Sequence, residues 1–202
     1  MTSEKPLRLF VAIELPDAWL VALREVQERM KAALAQDPAL ADLRMRWVRP
    51  DVIHLTLKFI GEVAPEGLTP IREQLAHAVP EPPEIVLSLA GAGAFEDSRA
   101  PRVVWAGVLS QPQWALLRLA EGIETWLAAA GIPRDRRGFL PHLTLARLPD
   151  GLSDAQRRRA AEVTTAVTMP EIPAFHVKGV SLIQSVLGPG GARYERMGRW
   201  PR

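Results

Sequence analysis

His54-Leu55-Thr56-Leu57-Lys58-Phe59 decides how this chain is read, because its first four residues return as His142-Leu143-Thr144-Leu145. In an extended strand successive side chains point to opposite faces, so each copy sends its leucines to one side and its imidazole and hydroxyl to the other. Each copy is a polar pair on an apolar anchor. A histidine exchanges a proton near neutral pH, and a threonine two residues on offers a hydroxyl on the same face. Two such strands facing each other across a groove would hold an oxyanion from both sides.

Outward from the first copy, alternation predicts a strand over 52–60, with Ile53, Leu55, Leu57 and Phe59 on its apolar face and His54, Thr56 and Lys58 on its polar face. Gly61 is expected to begin the exit. Residues 7–14 alternate in the same way, Leu7, Leu9, Val11 and Ile13 against Arg8, Phe10, Ala12 and Glu14, and a short strand is expected at 44–48. Trp19, Leu23, Val26, Met30 and Leu34 recur at helical spacing over 17–36. A second helix carries Leu68, Ile71, Leu75 and Val79, and Pro80-Glu81-Pro82-Pro83 stops it.

Strands are then expected at 84–91 and 102–109, separated by a loop through Gly91-Ala92-Gly93-Ala94 and Asp97 to Pro101. Ser110 with Gln113 reads as the capping box of a helix bearing Leu116, Ala120, Ile123 and Leu127, which Gly131 ends. The second motif strand spans 139–148. Ser153 with Gln156 caps a helix whose buried side includes Ala160, Val163 and Val167, and strands at 174–187 and 193–200 flank the turn Gly188-Pro189-Gly190-Gly191. This order is not a βαβα alternation, so the expected class is α+β. The expectation is two pseudo-symmetric lobes, each an antiparallel sheet with flanking helices, with the motif strands lining the cleft between them. No low-complexity linker divides the halves, so 1–202 reads as one domain of two intertwined lobes.

A chain of 202 residues with 48% hydrophobic content can bury a substantial core. It has no cysteine, which removes disulfides, thiolate metal sites and cysteine nucleophiles, and suits a reducing cytoplasm. The first six residues are polar, and no apolar run is long enough for a bilayer, so a cytoplasmic protein without membrane contact is expected. A net charge of +2 is too small to attract nucleic acid in bulk. Arginines do gather at Arg134, Arg136 and Arg137, ahead of the second motif, and at Arg193, Arg196, Arg199 and Arg202. The first group is the better placed for a phosphate, and Arg157-Arg158-Arg159 reads as a solvated helix face.

His54 and His142 share their three following residues, whereas His77 and His176 have no such context and read as surface or packing residues. A zinc site would need three protein ligands, and neither cysteine nor a suitably spaced carboxylate accompanies the motifs, so no metal and no cofactor are expected. There is no Gly-x-Ser-x-Gly elbow. The glycine-rich turn at 188–191 lacks the lysine and following helix of a P-loop, and Trp47 and Trp105 read as strand residues of the core. Two matched histidines can move two protons in one in-line displacement at phosphorus. One imidazole takes a proton from water, the other gives one to the leaving oxygen, and Thr56 and Thr144 bind the non-bridging oxygens. A strained cyclic phosphate needs no metal for this. Phe10, beside the cleft, is a candidate to stack on a base, with packing as the equal alternative.

These features resemble the 2H phosphoesterase superfamily, and more narrowly the RNA 2′,3′-cyclic phosphodiesterases formerly called 2′-5′ RNA ligases. The resemblance runs through Arg8-Leu9-Phe10-Val11-Ala12-Ile13, Trp47-Val48-Arg49-Pro50, His54 to Glu62, Pro101-Arg102-Val103-Val104-Trp105, Pro141 to Arg147, and Gly191-Ala192-Arg193-Tyr194. It implies hydrolysis of a terminal 2′,3′-cyclic phosphate on RNA to a 2′-phosphomonoester, with 2′-5′ joining as the reverse; the chain is expected to act as a monomer. It also implies His54 as proton donor, His142 as proton acceptor, and Arg147 as a support for the phosphate or the strand. The residues alone leave the order of the two histidines open. The alternatives are a 2′-5′ RNA ligase and a non-catalytic module that binds RNA ends. Water in excess favours hydrolysis, and a module would be as well served by arginine as by paired histidines and threonines.

Overall fold

Strand β1 (Leu7–Glu14) is buried on both faces, and the rest of the molecule is arranged around that fact. The computed structural model describes residues 5–97, 100–136, 138–188 and 191–201. Arg137, Arg202 and the middle of the expected 188–191 turn lie outside the described residues, as does part of the Asp97–Pro101 loop. After β1 the order is α1 (Asp17–Gln36), β2 (Arg46–Trp47), β3 (His54–Val63), α2 (Leu68–Ala78), β4 (Val86–Asp97) and β5 (Ala100–Gln111). Then come α3 (Ala115–Ala129), β6 (His142–Arg147), α4 (Asp154–Thr165), β7 (Phe175–His176), β8 (Val180–Gly188) and β9 (Gly191–Trp200).

The strands form two sheets, β3-β1-β8-β9 and β2-β6-β5-β4-β7, and every pairing is antiparallel. The class is therefore α+β, with one motif strand in each sheet. The sheets are not the two halves of the chain. The C-terminal hairpin β8-β9 completes the first sheet, while β2, from the N-terminal part, pairs with β6 in the second. The single strand expected at 174–187 is split between sheets for a backbone reason. Gly179 takes φ +148°, and a Cβ there would lie 2.2 Å from the Trp200 carbonyl oxygen, so the chain crosses from β7 to β8 where only glycine fits.

The helices cover the apolar faces. The α1 stripe Trp19, Leu23, Val26, Met30 and Leu34 is buried as the periodicity predicts, and Leu55, Leu57, Leu143 and Leu145 enter the same core. Phe10, Ala12 and Ile183 form a second, smaller cluster on the other face of the first sheet, with Tyr194 against it.

Three local expectations are corrected. The small residues 91–94 are strand, because a register shift between Leu89 and Ala92 absorbs an extra residue and the Trp105 ring lies where a Gly93 Cβ would be. Ser110 does not cap α3. Strand β5 runs on to Gln111, and the Ser110 hydroxyl donates to the Pro112 and Gln113 carbonyls instead. Arg157 is not on a solvated face; it is buried and donates to the Pro149 carbonyl at 2.9 Å. The capping box at the start of α4 forms as expected, with Ser153 Oγ accepting from Gln156 N–H, and Ala160 buried beneath half-buried Val163 and Val167.

Candidate active site

The two motifs share a bulge as well as a sequence. In the first sheet Ala12 pairs with Thr56 but Val11 with Lys58, leaving Leu57 as an extra residue. In the second, Trp105 pairs with Thr144 but Val104 with Ala146, leaving Leu145 extra. An extra residue reverses the phase of everything after it. Lys58 consequently turns into the core, where its ammonium donates to Glu124 Oε2 at 2.9 Å and to the Pro133 carbonyl at 2.8 Å. Phe59, expected on the apolar face, turns out instead and is 61% exposed. Register places it opposite Phe10, on the face that carries His54 and Thr56. In the second sheet the same shift returns Arg147 to the face of His142 and Thr144. The Leu145 carbonyl is satisfied by Gln27 Nε2 at 2.8 Å and Val48 N–H at 2.9 Å.

Each histidine is fixed by one device. Nδ1 of His54 lies 2.8 Å from the Val52 carbonyl, and Nδ1 of His142 lies 2.8 Å from the Leu140 carbonyl. A carbonyl oxygen only accepts, so Nδ1 carries the proton in both rings and Nε2 is left to take or give one. Aromatic rings brace both. Phe10 stacks on His54 with centroids 4.6 Å apart, and Tyr194 meets His54 edge-on at 5.2 Å. Phe95 meets His142 edge-on at 4.6 Å, with Trp105 at 6.5 Å. Phe10 therefore packs and is not placed to stack on a base: it is 3% exposed, its ring covered by His54 and Tyr194, and it supports the imidazole.

Burial pushes both histidines below their ordinary value, since a desolvated imidazolium is disfavoured. At His54 the Val52 carbonyl and the charge of Glu14 act upward and the charge of His142 downward, so the two rings sense each other. At His142 the Leu140 carbonyl acts upward and Arg147 downward. Burial raises the Tyr194 hydroxyl, against the charges of Arg147 and Arg8. Arg147 of the second sheet thus acts on Tyr194 of the first, and the site belongs to both sheets. Thr56 and Thr144 are half-buried, and among the described residues neither hydroxyl is engaged by a protein partner.

Other candidates fall elsewhere. Arg134 donates to Thr125 Oγ1 at 2.8 Å, which ties the loop before the second motif to α3. His77 stacks on Trp126 on the α2–α3 surface, and His176 lies in β7. Among the described residues no three His, Asp or Glu side chains gather as a metal site would require. A hollow of about 560 Å³ lined by Thr69, Arg72, Glu73 and Trp200 contains neither motif. The sequence reading missed Phe59, Tyr194, Phe95 and Glu14. The signal for Phe59 was available: it stands at the same offset from His54 as Arg147 does from His142.

A family model described as LigT like Phosphoesterase matches residues 15–105 and 108–194. The chain is 33% identical over 192 residues to the RNA 2′,3′-cyclic phosphodiesterase of Archaeoglobus fulgidus, covering 94% of this chain and 97% of that protein. It is 32% identical over 200 residues to the protein of that name from Escherichia coli, covering 97% of each. The crystal structure of Escherichia coli LigT complexed with 3′-AMP superposes with a TM-score of 0.66 at 28% identity, covering 97% of this chain and 98% of that one. With both motifs, their matched bulges and nearly the whole chain accounted for, the protein belongs to the LigT-like phosphoesterase family.

Proposed function

We propose that this protein is a metal-independent hydrolase of RNA 2′,3′-cyclic phosphate ends that leaves a 2′-phosphomonoester. The observation that carries the proposal is the pair of Nε2 atoms, each freed for proton transfer by an identical Nδ1 bond to a backbone carbonyl. Water attacks phosphorus as His142 Nε2 takes its proton. The bond from phosphorus to the 3′ oxygen breaks as His54 Nε2 gives that oxygen a proton, and the phosphoryl group stays on the 2′ oxygen. This order follows the family resemblance. Thr56 and Thr144 donate to the non-bridging oxygens, where negative charge builds up.

The nucleoside rests against the residues that the bulges bring onto the motif face. Phe59 offers an exposed ring for a base in place of the covered Phe10, and Arg147 brings a positive charge to the phosphate side. One chain supplies both motifs, so the reading needs no second subunit. Names of the relatives support the RNA substrate. The test is a chelator-treated enzyme given an RNA ending in a cyclic phosphate. Conversion to the 2′-phosphate is expected; dependence on an added divalent ion, or a 3′-phosphate product, would contradict the proposal.

A further inference from the structure

His54 and His142 share a motif but not a neighbour. Register places Glu14 directly opposite His54, and Gly107, which has no side chain, directly opposite His142. Directly opposed residues of an antiparallel pair project from the same face, so one histidine has a carboxylate beside it and its counterpart has none. The asymmetry repeats after the bulges. Position five after His54 is Phe59, and position five after His142 is the cation Arg147.

Glu14 is also held. Its Oε2 accepts from the buried Ser181 hydroxyl at 2.6 Å and from Arg196 Nη1 at 3.0 Å. Both bonds end on the same oxygen and keep the side chain on the cleft face of β1. We propose that Glu14 is a positioning residue which holds the catalytic proton on His54 rather than on His142, and so sets the direction of the acid–base pair.

The charges around the two rings agree with this. His54 is faced by Glu14 from β1, His142 from β6 and Tyr194 from β9, and Arg196 and Arg199 of β9 act on Glu14. The charges that act on His54 are those of Glu14, upward, and His142, downward. Burial by itself would raise the Glu14 carboxyl. The bonds from Ser181 and Arg196, with the charges of Arg196 and Arg199, outweigh burial and bring it below the usual range, so it is an anion wherever the histidines titrate. His142 is faced by Phe95 from β4, by Gly107 and Trp105 from β5 and by the cation Arg147 on its own strand. The Leu140 carbonyl acts upward on it as the Val52 carbonyl does on His54, so the difference between the rings is the carboxylate opposite one of them. Burial is the largest influence on both rings and lowers both. Against it the charge of Glu14 favours the imidazolium of His54 while that of Arg147 disfavours the imidazolium of His142, the sense in which His54 is the acid and His142 the base.

This inference rests on the proposed acid–base reading, and its test separates the two. The Nε2 atoms of His54 and His142 are titrated by nitrogen NMR in the ligand-free wild type, Glu14→Gln and Glu14→Asp, alongside kcat/KM against pH on an RNA ending in a cyclic phosphate. Glu14→Gln keeps the shape and an acceptor for Ser181 but removes the charge. It is expected to move the His54 midpoint to lower pH with little change at His142, and to shift only the alkaline limb of the rate profile. Above that limb the loss is roughly 3-fold to 10-fold. Glu14→Asp, which keeps the charge, restores both. An unchanged His54 midpoint in Glu14→Gln, an equal fall in Glu14→Asp, or movement of the acid limb alone would overturn the inference. A His54 midpoint that moves as expected in an enzyme inactive on cyclic phosphate would sink the proposed reaction while leaving the role of Glu14 in protonation intact.

Discussion

Among the described residues no protein group engages the hydroxyls of Thr56 and Thr144, which makes them the cleanest separate test of phosphate binding. Thr56→Val and Thr144→Val keep the branched shape and strand preference but remove the donor. Each is expected to slow hydrolysis by roughly 10-fold to 10³-fold, as for a donor aimed at developing charge, measured as kcat/KM on a cyclic-phosphate RNA. The pH dependence follows from burial of both rings. The proposed reaction needs one protonated and one neutral histidine, and both are pushed below the ordinary 6.5. Raising pH deprotonates the acid and lowering pH protonates the base, so both limbs of kcat/KM are expected to lie on the acid side of that value; an alkaline limb well above it would contradict the burial argument. These four polar residues were legible because the repeat and the alternation of a strand fix their shared face. For Phe10 the sequence left stacking and packing open for a physical reason: alternation assigns a face but not what lies on it, and here Ile183 and Tyr194 from the end of the chain cover that face.

Strand β3 shows where element reading stopped working. Alternation carried the prediction correctly to Leu57 and inverted it afterwards, because one inserted residue exchanged Lys58 and Phe59 between faces. Nothing in a single strand announces a bulge; only the partner's register does. The exchange leaves Lys58 buried with Glu124 as its counter-ion, their closest atoms 2.8 Å apart, and the Glu124 carboxylate also accepts from the Asp135 N–H in the segment that leads to His142. Motif one therefore anchors the approach to motif two. Glu124→Gln leaves a buried ammonium short of its anion and is expected to cost roughly 2 to 4 kcal/mol in chemical denaturation, well beyond an exposed pair. A change below about 0.5 kcal/mol would show that Lys58 is satisfied by the Pro133 carbonyl alone.

The fold class, the antiparallel pairing and the placement of one motif in each lobe were readable from element order, since paired strands after each motif leave little room for a parallel sheet. The exchange between lobes was not. It depends on Gly179, whose positive φ sends β8 across to the first sheet, and on β2, only two residues long, which reaches β6. Because each sheet borrows strands from the other end of the chain, neither lobe is expected to unfold alone. Near-ultraviolet and far-ultraviolet dichroism should then give coincident denaturation curves, and separated midpoints would show independent lobes.

The central proposal is that one histidine takes a proton from water and the other gives one to the leaving 3′ oxygen, and a single-turnover assay of His54→Ala and His142→Ala reads it most directly. The substrate is an RNA ending in a 2′,3′-cyclic phosphate, with dichroism confirming that each variant is folded. Each substitution is expected to reduce the rate by roughly 10²-fold to 10⁴-fold, with the 2′-phosphate as the only product of the wild type. Near wild-type turnover by either folded variant would contradict the two-histidine account.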